Sequence, residues 1–312
     1  MHFESLLFAS TIILPVCLLV CLGVLLRRWA IIDSAFIDVS SSLVFKVTLP
    51  TLIFLAIADM HINPAEQFWL MLFVAIAILA TCAFSYFWAW LIKLPREDLS
   101  AFVQASFRSN LGIVGIAMVV YAFGDDGIRT GALVLAVGVP MYNLISVVIL
   151  AQGQSVSITE QCQLILRNPL IIAIMLAIPF SIWSIPLPST LRTTAESLGN
   201  MTLPLALISI GGSLSWTEFH KANKTTAHIM LLKLGVFPGL ILGAGLIFGL
   251  PKLELSVIVI MLASPTAAAA FVMARNMGGN ATLTANAIAL TTLGALITTG
   301  AYFYVLRLLS LL

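Results

Sequence analysis

Charge is what this sequence has least of. Asp, Glu, Lys and Arg make up 9% of its 312 residues, against 61% that are hydrophobic. Soluble domains carry about 25% charged residues, so this chain has too few to cover a water-facing globule. Disorder is excluded as well, because it requires low hydrophobicity. The net charge of +2 comes without any basic run, which leaves no footprint for nucleic acid. Histidine is also sparse: His2, His61, His220 and His228 stand near the ends of apolar runs, with no ligand spacing between them. Cys17, Cys21, Cys82 and Cys162 lie in or beside apolar runs and read as small packed hydrophobes rather than as a metal or disulfide framework. No Ser/His/Asp arrangement, Walker loop or pair of intramembrane aspartates is present. The expectation is a protein with no enzymatic activity, no cofactor and no metal.

What the chain does have is long apolar runs. A helix crosses a bilayer with about 20 apolar residues, or more when tilted. Windows between polar breaks give ten spans: 5–26, 35–58, 67–92, 99–123, 128–151, 162–183, 190–214, 226–250, 254–277 and 283–310. Runs this long do not suit a membrane barrel, whose strands alternate. The first run, Leu6 to Leu26, has no Lys or Arg before it and exceeds the apolar region of a signal peptide, so it reads as a span. The fold class is all-α integral membrane protein. Lys and Arg in the loops set orientation. One side collects Arg27, Arg28, Lys93, Arg96, Arg167, Lys221, Lys224 and Arg275; the side of the termini collects only Arg129, Arg192, Lys252 and Arg307. Both termini are therefore expected outside the inner (plasma) membrane.

The two halves, 1–151 and 152–312, echo each other. Pro15 matches Pro169, and Thr48-Leu49-Pro50 matches Thr202-Leu203-Pro204, both at an offset of 154. At an offset of 156, Arg108-Ser109-Asn110 in span 4 falls on Ser264-Pro265-Thr266 in span 9. Five spans per half is an odd number, so the second half enters from the opposite face: an inverted repeat, the layout of secondary transporters. The aligned segments are also poor helix centres. Span 4 carries a charge, an asparagine, Gly112 and Gly115; span 9 carries Pro265, which removes a helical hydrogen bond. Non-helical backbone at membrane depth survives only where it is buried in protein or lines a cavity. Two half-helix breaks at one depth would turn positive dipole ends inward, which suits an anion; simple proline and glycine kinks are the plainer alternative.

Three cations lie inside spans: Lys46, Arg108 and Lys233. No Asp or Glu lies at comparable depth, so a bound carboxylate is a natural counter-ion. Snorkelling or bonding to backbone carbonyls is the alternative for each, above all for Lys233, which stands nearer a span end. Asn143, Asn168, Asn200 and Asn286 are further polar groups among apolar neighbours, each also explicable as interhelical glue.

Together these motifs resemble the auxin efflux carrier family, which includes plant PIN carriers and bacterial malate and malonate carriers. The likeness is carried by Leu49-Pro50, by Ser109-Asn110 with Gly112 and Gly115-Ile116, by Arg167-Asn168-Pro169, and by Phe271-Val272-Met273-Ala274-Arg275. It implies two inverted five-helix repeats with broken helices 4 and 9 crossing at the substrate site. Helices 1, 2, 6 and 7 would form a scaffold that dimerises, and helices 3–5 and 8–10 a transport domain moving as an elevator. The chain departs from PIN carriers in having Ser109 where they have proline, in lacking a long loop between spans 5 and 6, and in carrying Arg108 beside the crossover. A small carboxylate or dicarboxylate fits these departures better than auxin.

The expected function is therefore secondary transport of small organic anions. Ser109, Asn110, Ser264 and Thr266 would hydrogen-bond the anion, and Arg108 or Lys46 would neutralise it. Gly112 and Pro265 would shape the break, with Pro50, Pro204, Gly115, Asn143, Asn200 and Asn286 as structural breaks and support. A sodium- or proton-coupled symporter of the bile-acid carrier type and a non-transporting ligand sensor are the rival readings.

Overall fold

A computed structural model describes residues 14–15, 18–59, 64–151, 167, 169–213 and 224–312. Outside these lie Cys17, Cys162, Asn168, Lys221, His2, His61 and His220, along with most of the proposed connection between the halves. The described residues are helical, apart from short turns, two breaks and one isolated β-bridge.

The helices follow the apolar runs closely. α1 covers 18–28. α2 (Ser34–Leu43) begins at Asp33, whose carboxylate accepts from the Phe36 amide at 2.8 Å, and continues through a π-turn, Val44–Thr48, into α3 (Leu49–Ala58). The π-turn precedes Pro50, which cannot donate to the helical ladder and crowds the carbonyl one turn back; an extra residue in the turn relieves both problems. α4 is Pro64–Leu91, α5 Arg96–Phe107 and α6 Ile116–Ala151, with a π-turn at Leu111–Gly115 between the last two. α6 is two helices joined at Gly124, whose φ of 57° and ψ of −138° turn the chain between spans 4 and 5.

One of these devices recurs further along the chain. α7 is Pro169–Trp183, α8 Ser189–Asn200 and α9 Thr202–Ser213. α10 (Lys224–Leu231) passes through a π-turn, Leu232–Val236, into α11 (Phe237–Ile247), again just ahead of a proline, Pro238. α12 is Lys252–Leu262, α13 Ala269–Asn276 and α14 Ala281–Leu308. Asn280 caps α14 through the Leu283 amide and donates to Asp98, tying its start to that of α5.

By length and composition, five stretches among the described residues are apolar enough to cross a membrane: Ser34–Ala58, Gln67–Leu91, Leu111–Ala151, Lys224–Ile247 and Ala281–Leu308. α7 is a shorter apolar helix, and the 111–151 stretch holds the second half of sequence span 4 and all of span 5. α3 lies chiefly against α7 and α8, and α2 against α9; α4, α5, α6 and α10 to α14 pack largely among themselves, and α6 also meets α3 and α7. The innermost elements are the ones that break: every residue from Ser100 to Phe107 and from Leu255 to Leu262 is buried. The breaks therefore sit in the protein core, out of reach of lipid, as their unpaired backbone requires.

Candidate functional site

α5 and α12 both stop in the middle of the molecule, and their chains then pass one another. Arg108 leaves the helix in extended geometry (φ −79°, ψ 106°). Ser109 then pairs with Thr266 in an antiparallel bridge. The Asn110 amide donates to the Pro265 carbonyl at 2.8 Å, and the Ala267 amide donates to the Arg108 carbonyl at 3.2 Å. The two bonds are reciprocal, so the crossover has its own local two-fold axis running between Ser109 and Thr266. Both chains become helical again beyond it, at Leu111 and at Ala269.

Pro265 serves this arrangement by having no amide hydrogen to leave unpaired, while its carbonyl is taken by Asn110. Thr266 is held at both ends: its amide donates to Thr291 Oγ1 at 3.1 Å, and its hydroxyl donates to the Ala105 carbonyl at 2.7 Å. Ser264 donates to Met261 O at 2.7 Å. These three residues therefore build the crossover, and none of them lines the cavity beside it.

That cavity has a volume of about 360 Å³. Its walls include Arg108, Ser109, Asn110, Gly112 and Asn143 from the residues singled out in the sequence. Leu111–Ile113, the first turn of one resumed helix, and Ala267–Ala269, which lead into the other, also face it. Free backbone N–H groups and the positive ends of two helix dipoles are thus gathered at one cavity. The opposite dipole ends, at Phe107 and Leu262, lie behind the bridge.

Arg108 is buried at 6% exposure. It donates to the Tyr142 carbonyl at 3.1 Å, Ser146 Oγ at 2.9 Å, Asn143 Oδ1 at 2.7 Å and Met273 Sδ at 3.2 Å, while its Nε–H has no acceptor. All four partners are neutral. Among the described residues the ion pairs are Arg129–Asp126 and Arg192 with Asp59 and Glu196, both away from the crossover. Ser109, by contrast, donates to Leu262 O at 2.9 Å and also accepts from Lys233. The Asn110 side-chain amide has no hydrogen-bond partner among the described residues, and it lines the cavity.

Several candidates lie elsewhere. Lys46 is exposed on the outer surface of the α2–α3 π-turn, although its neighbour Phe45 lines the cavity. Pro50 is buried at the start of α3, Gly115 packs its Cα against the Met261 backbone, and Asn286 is buried in α14. Asn200 and Pro204 line a second cavity of about 520 Å³, together with Asp59, Asp125, Arg129, Arg192 and Glu196. Sequence reasoning missed Tyr142, Ser41 and Ser42, which line the crossover cavity without any charge or break to mark them. Of the two plainer readings of Lys233, bonding to backbone carbonyls is the one the structure shows, and snorkelling is not. Lys233 is 1% exposed and bound to the crossover, not reaching for an interface.

Comparison with known proteins supplies the broader setting. The model of a family described as "Membrane transport protein" matches residues 8–303. The chain belongs to that family. Its members include the auxin efflux carriers that the sequence motifs resemble. One relative, an uncharacterized transporter of Methanocaldococcus jannaschii, is 25% identical over 241 residues, covering 74% of this chain and 72% of its own length. Another, an uncharacterized transporter of Methanothermobacter thermautotrophicus, is 21% identical over 290 residues, covering 91% and 94%. Family membership makes this chain a multi-pass membrane transporter with a small-molecule substrate, not an enzyme.

Proposed function

We propose that this transporter moves small organic anions, carboxylates or dicarboxylates of the malate and malonate type, and that it binds them in the crossover cavity. The observation that carries this reading is Arg108: a buried guanidinium at the cavity wall, beside two helix N-termini, with no carboxylate partner among the described residues. A charge in such a place asks for a counter-ion, and a carboxylate would meet Arg108, the Asn110 side-chain amide and the free N–H groups of Leu111–Ile113 together. A volume of about 360 Å³ is at the small end for ligand pockets, which favours a compact substrate.

The wider reading is ten spans in two inverted five-helix repeats, 1–151 and 152–312. Helices 1, 2, 6 and 7 act as a dimeric scaffold, and helices 3–5 and 8–10 as an elevator-type transport domain. The packing of α2 and α3 chiefly on α7 to α9 supports that division. The deciding experiment is uptake of radiolabelled malonate, malate and succinate into proteoliposomes, with acetate and a neutral diamide of malonate as controls. Saturable uptake of a carboxylate that the diamide does not inhibit is expected. A carrier inert toward every acid on the panel would overturn the reading.

A further inference from the structure

The crossover presents two faces of opposite polarity, with helix N-termini at the cavity and helix C-termini behind the bridge. On the second face, α5 and α12 end, and their last carbonyls converge: Lys233 Nζ lies 3.4 Å from Phe107 O and 3.3 Å from Leu262 O, and it also donates to Ser109 Oγ. The Ser109 hydroxyl hydrogen is already given to Leu262 O. Ser109 Oγ can therefore only accept from Lys233, and both carbonyls can only accept. Three acceptors require three N–H bonds. A neutral amine has two, whereas an ammonium has three. Lys233 comes from a different helix, delivered by the π-turn ahead of Pro238, and it does not line the anion cavity.

Half-helix C-termini at a membrane crossover carry negative partial charge, and unpaired carbonyls there suit a small cation. The geometry points to Lys233 as a tethered cation: its ammonium occupies the place where the two broken helices would otherwise collect a free Na⁺, so the crossover is assembled without one. Arg108 and Lys233 then divide the work. Arg108 faces the transported anion, and Lys233 neutralises the two helix ends from behind in every state of the cycle. The inference concerns the crossover whichever anion is carried, and it bears directly on the rival sodium-coupled reading, since a cation that never leaves the protein cannot couple to a gradient.

The test needs no substrate. Thermal unfolding of the full chain in detergent is followed in about 150 mM NaCl, KCl or choline chloride, so that ionic strength is held constant. Wild type should unfold at one temperature in all three salts. Lys233→Ala, purified in NaCl and then exchanged, should unfold earlier in choline and recover by at least about 3 °C in NaCl, because it leaves both the carbonyls and room for an ion. Methylammonium chloride should also restore it. Lys233→Met removes the charge but fills the space, so it should be destabilised and stay indifferent to salt. A Na⁺-dependent rise in wild type would overturn the proposal, and that arm stands even if a variant fails to fold. So would Lys233→Ala that is as stable in choline as in NaCl, or Lys233→Met that is as stable as wild type.

Discussion

Arg108 meets four acceptors, and none of them carries charge. Neutral partners can orient a guanidinium in the core, but they leave its monopole uncompensated, and a bound carboxylate would complete it. Truncating one partner of a buried charge-assisted bond costs about 2–5 kcal/mol, or roughly 30-fold or more in affinity. Arg108→Gln should therefore weaken malonate binding by at least about 30-fold, measured by isothermal titration or by the concentration dependence of uptake. Arg108→Lys should recover only part, because an ammonium cannot reproduce the planar fork that reaches Tyr142, Asn143 and Ser146 together. Unchanged affinity in Arg108→Gln would return the residue to a purely structural role. Asn110 and Thr266 should separate in the same way. Asn110→Ala removes a side-chain amide that has no partner among the described residues, so it should lower affinity and leave the unfolding temperature nearly unchanged. Thr266→Val removes the donor to the Ala105 carbonyl in the buried crossover, so it should cost about 1–3 kcal/mol of stability. Equal loss of stability in both variants would mean that Asn110 also holds the fold. At this scale the sequence made Arg108 and Asn110 legible, because a charge and a cap-forming amide stand out in an apolar run. Lys233 was equally visible as a charge, but whether a lysine snorkels or bonds to carbonyls depends on what the neighbouring helices present to it, and that is a tertiary fact.

Helix breaks were legible for a related reason. Pro265, Gly112 and the Arg108-Ser109-Asn110 run are local defects in otherwise apolar helices, and the structure has non-helical backbone at 108–110 and 263–268. The register of the crossing was not legible. An offset of 156 sets Asn110 on Thr266, whereas the bridge pairs Ser109 with Thr266. A slip of one residue cannot be seen in a sequence alignment of two halves, yet it decides which side chains face the cavity and which are spent on the bridge. The π-turns ahead of Pro50 and Pro238 were likewise hidden; the prolines announce a fault in the ladder without saying how the backbone will absorb it. Close helix contacts give this scale its own prediction. α1 and α9 approach so tightly that a Cβ on Gly211 would stand 2.0 Å from the Val20 carbonyl oxygen, and one on Gly23 would stand 2.2 Å from that of Ile208. These are backbone atoms, which no rotamer change can move aside. Gly211→Ala should therefore push α1 off α9 and cost about 1–3 kcal/mol. Gly243→Ala, where nothing lies within 4 Å, is the control and should be neutral. Comparable unfolding temperatures for the two variants would show that the α1–α9 contact carries little of the stability.

For the whole molecule, the two cavities are the feature that orientation must explain. The larger is walled by Asp59, Asp125 and Arg192, which stand at the ends of α3, of the first part of α6 and at the start of α8. All three belong to the side of the membrane that holds the termini in the ten-span reading. The crossover cavity takes Ser41, Ser42 and Leu170 from the opposite halves of their helices. At the crossover cavity, Gly112 packs against the side chains of Leu49, Leu135 and Leu170. Apolar packing of this kind would close the crossover from the termini side. The charge asymmetry of the loops is the ground for expecting the termini outside. In a background without native cysteines, Glu196→Cys should therefore react with an impermeant thiol reagent in intact cells, and Ser42→Cys should react only in inside-out vesicles. Adding malonate should slow the reaction at Ser42→Cys, which lines the proposed anion site, and should leave Glu196→Cys alone unless the carrier moves to a second state. The reverse pattern of labelling would invert the orientation while keeping the fold. Labelling of both positions from the same side would break the ten-span reading itself, because no odd number of crossings would then separate the two cavities.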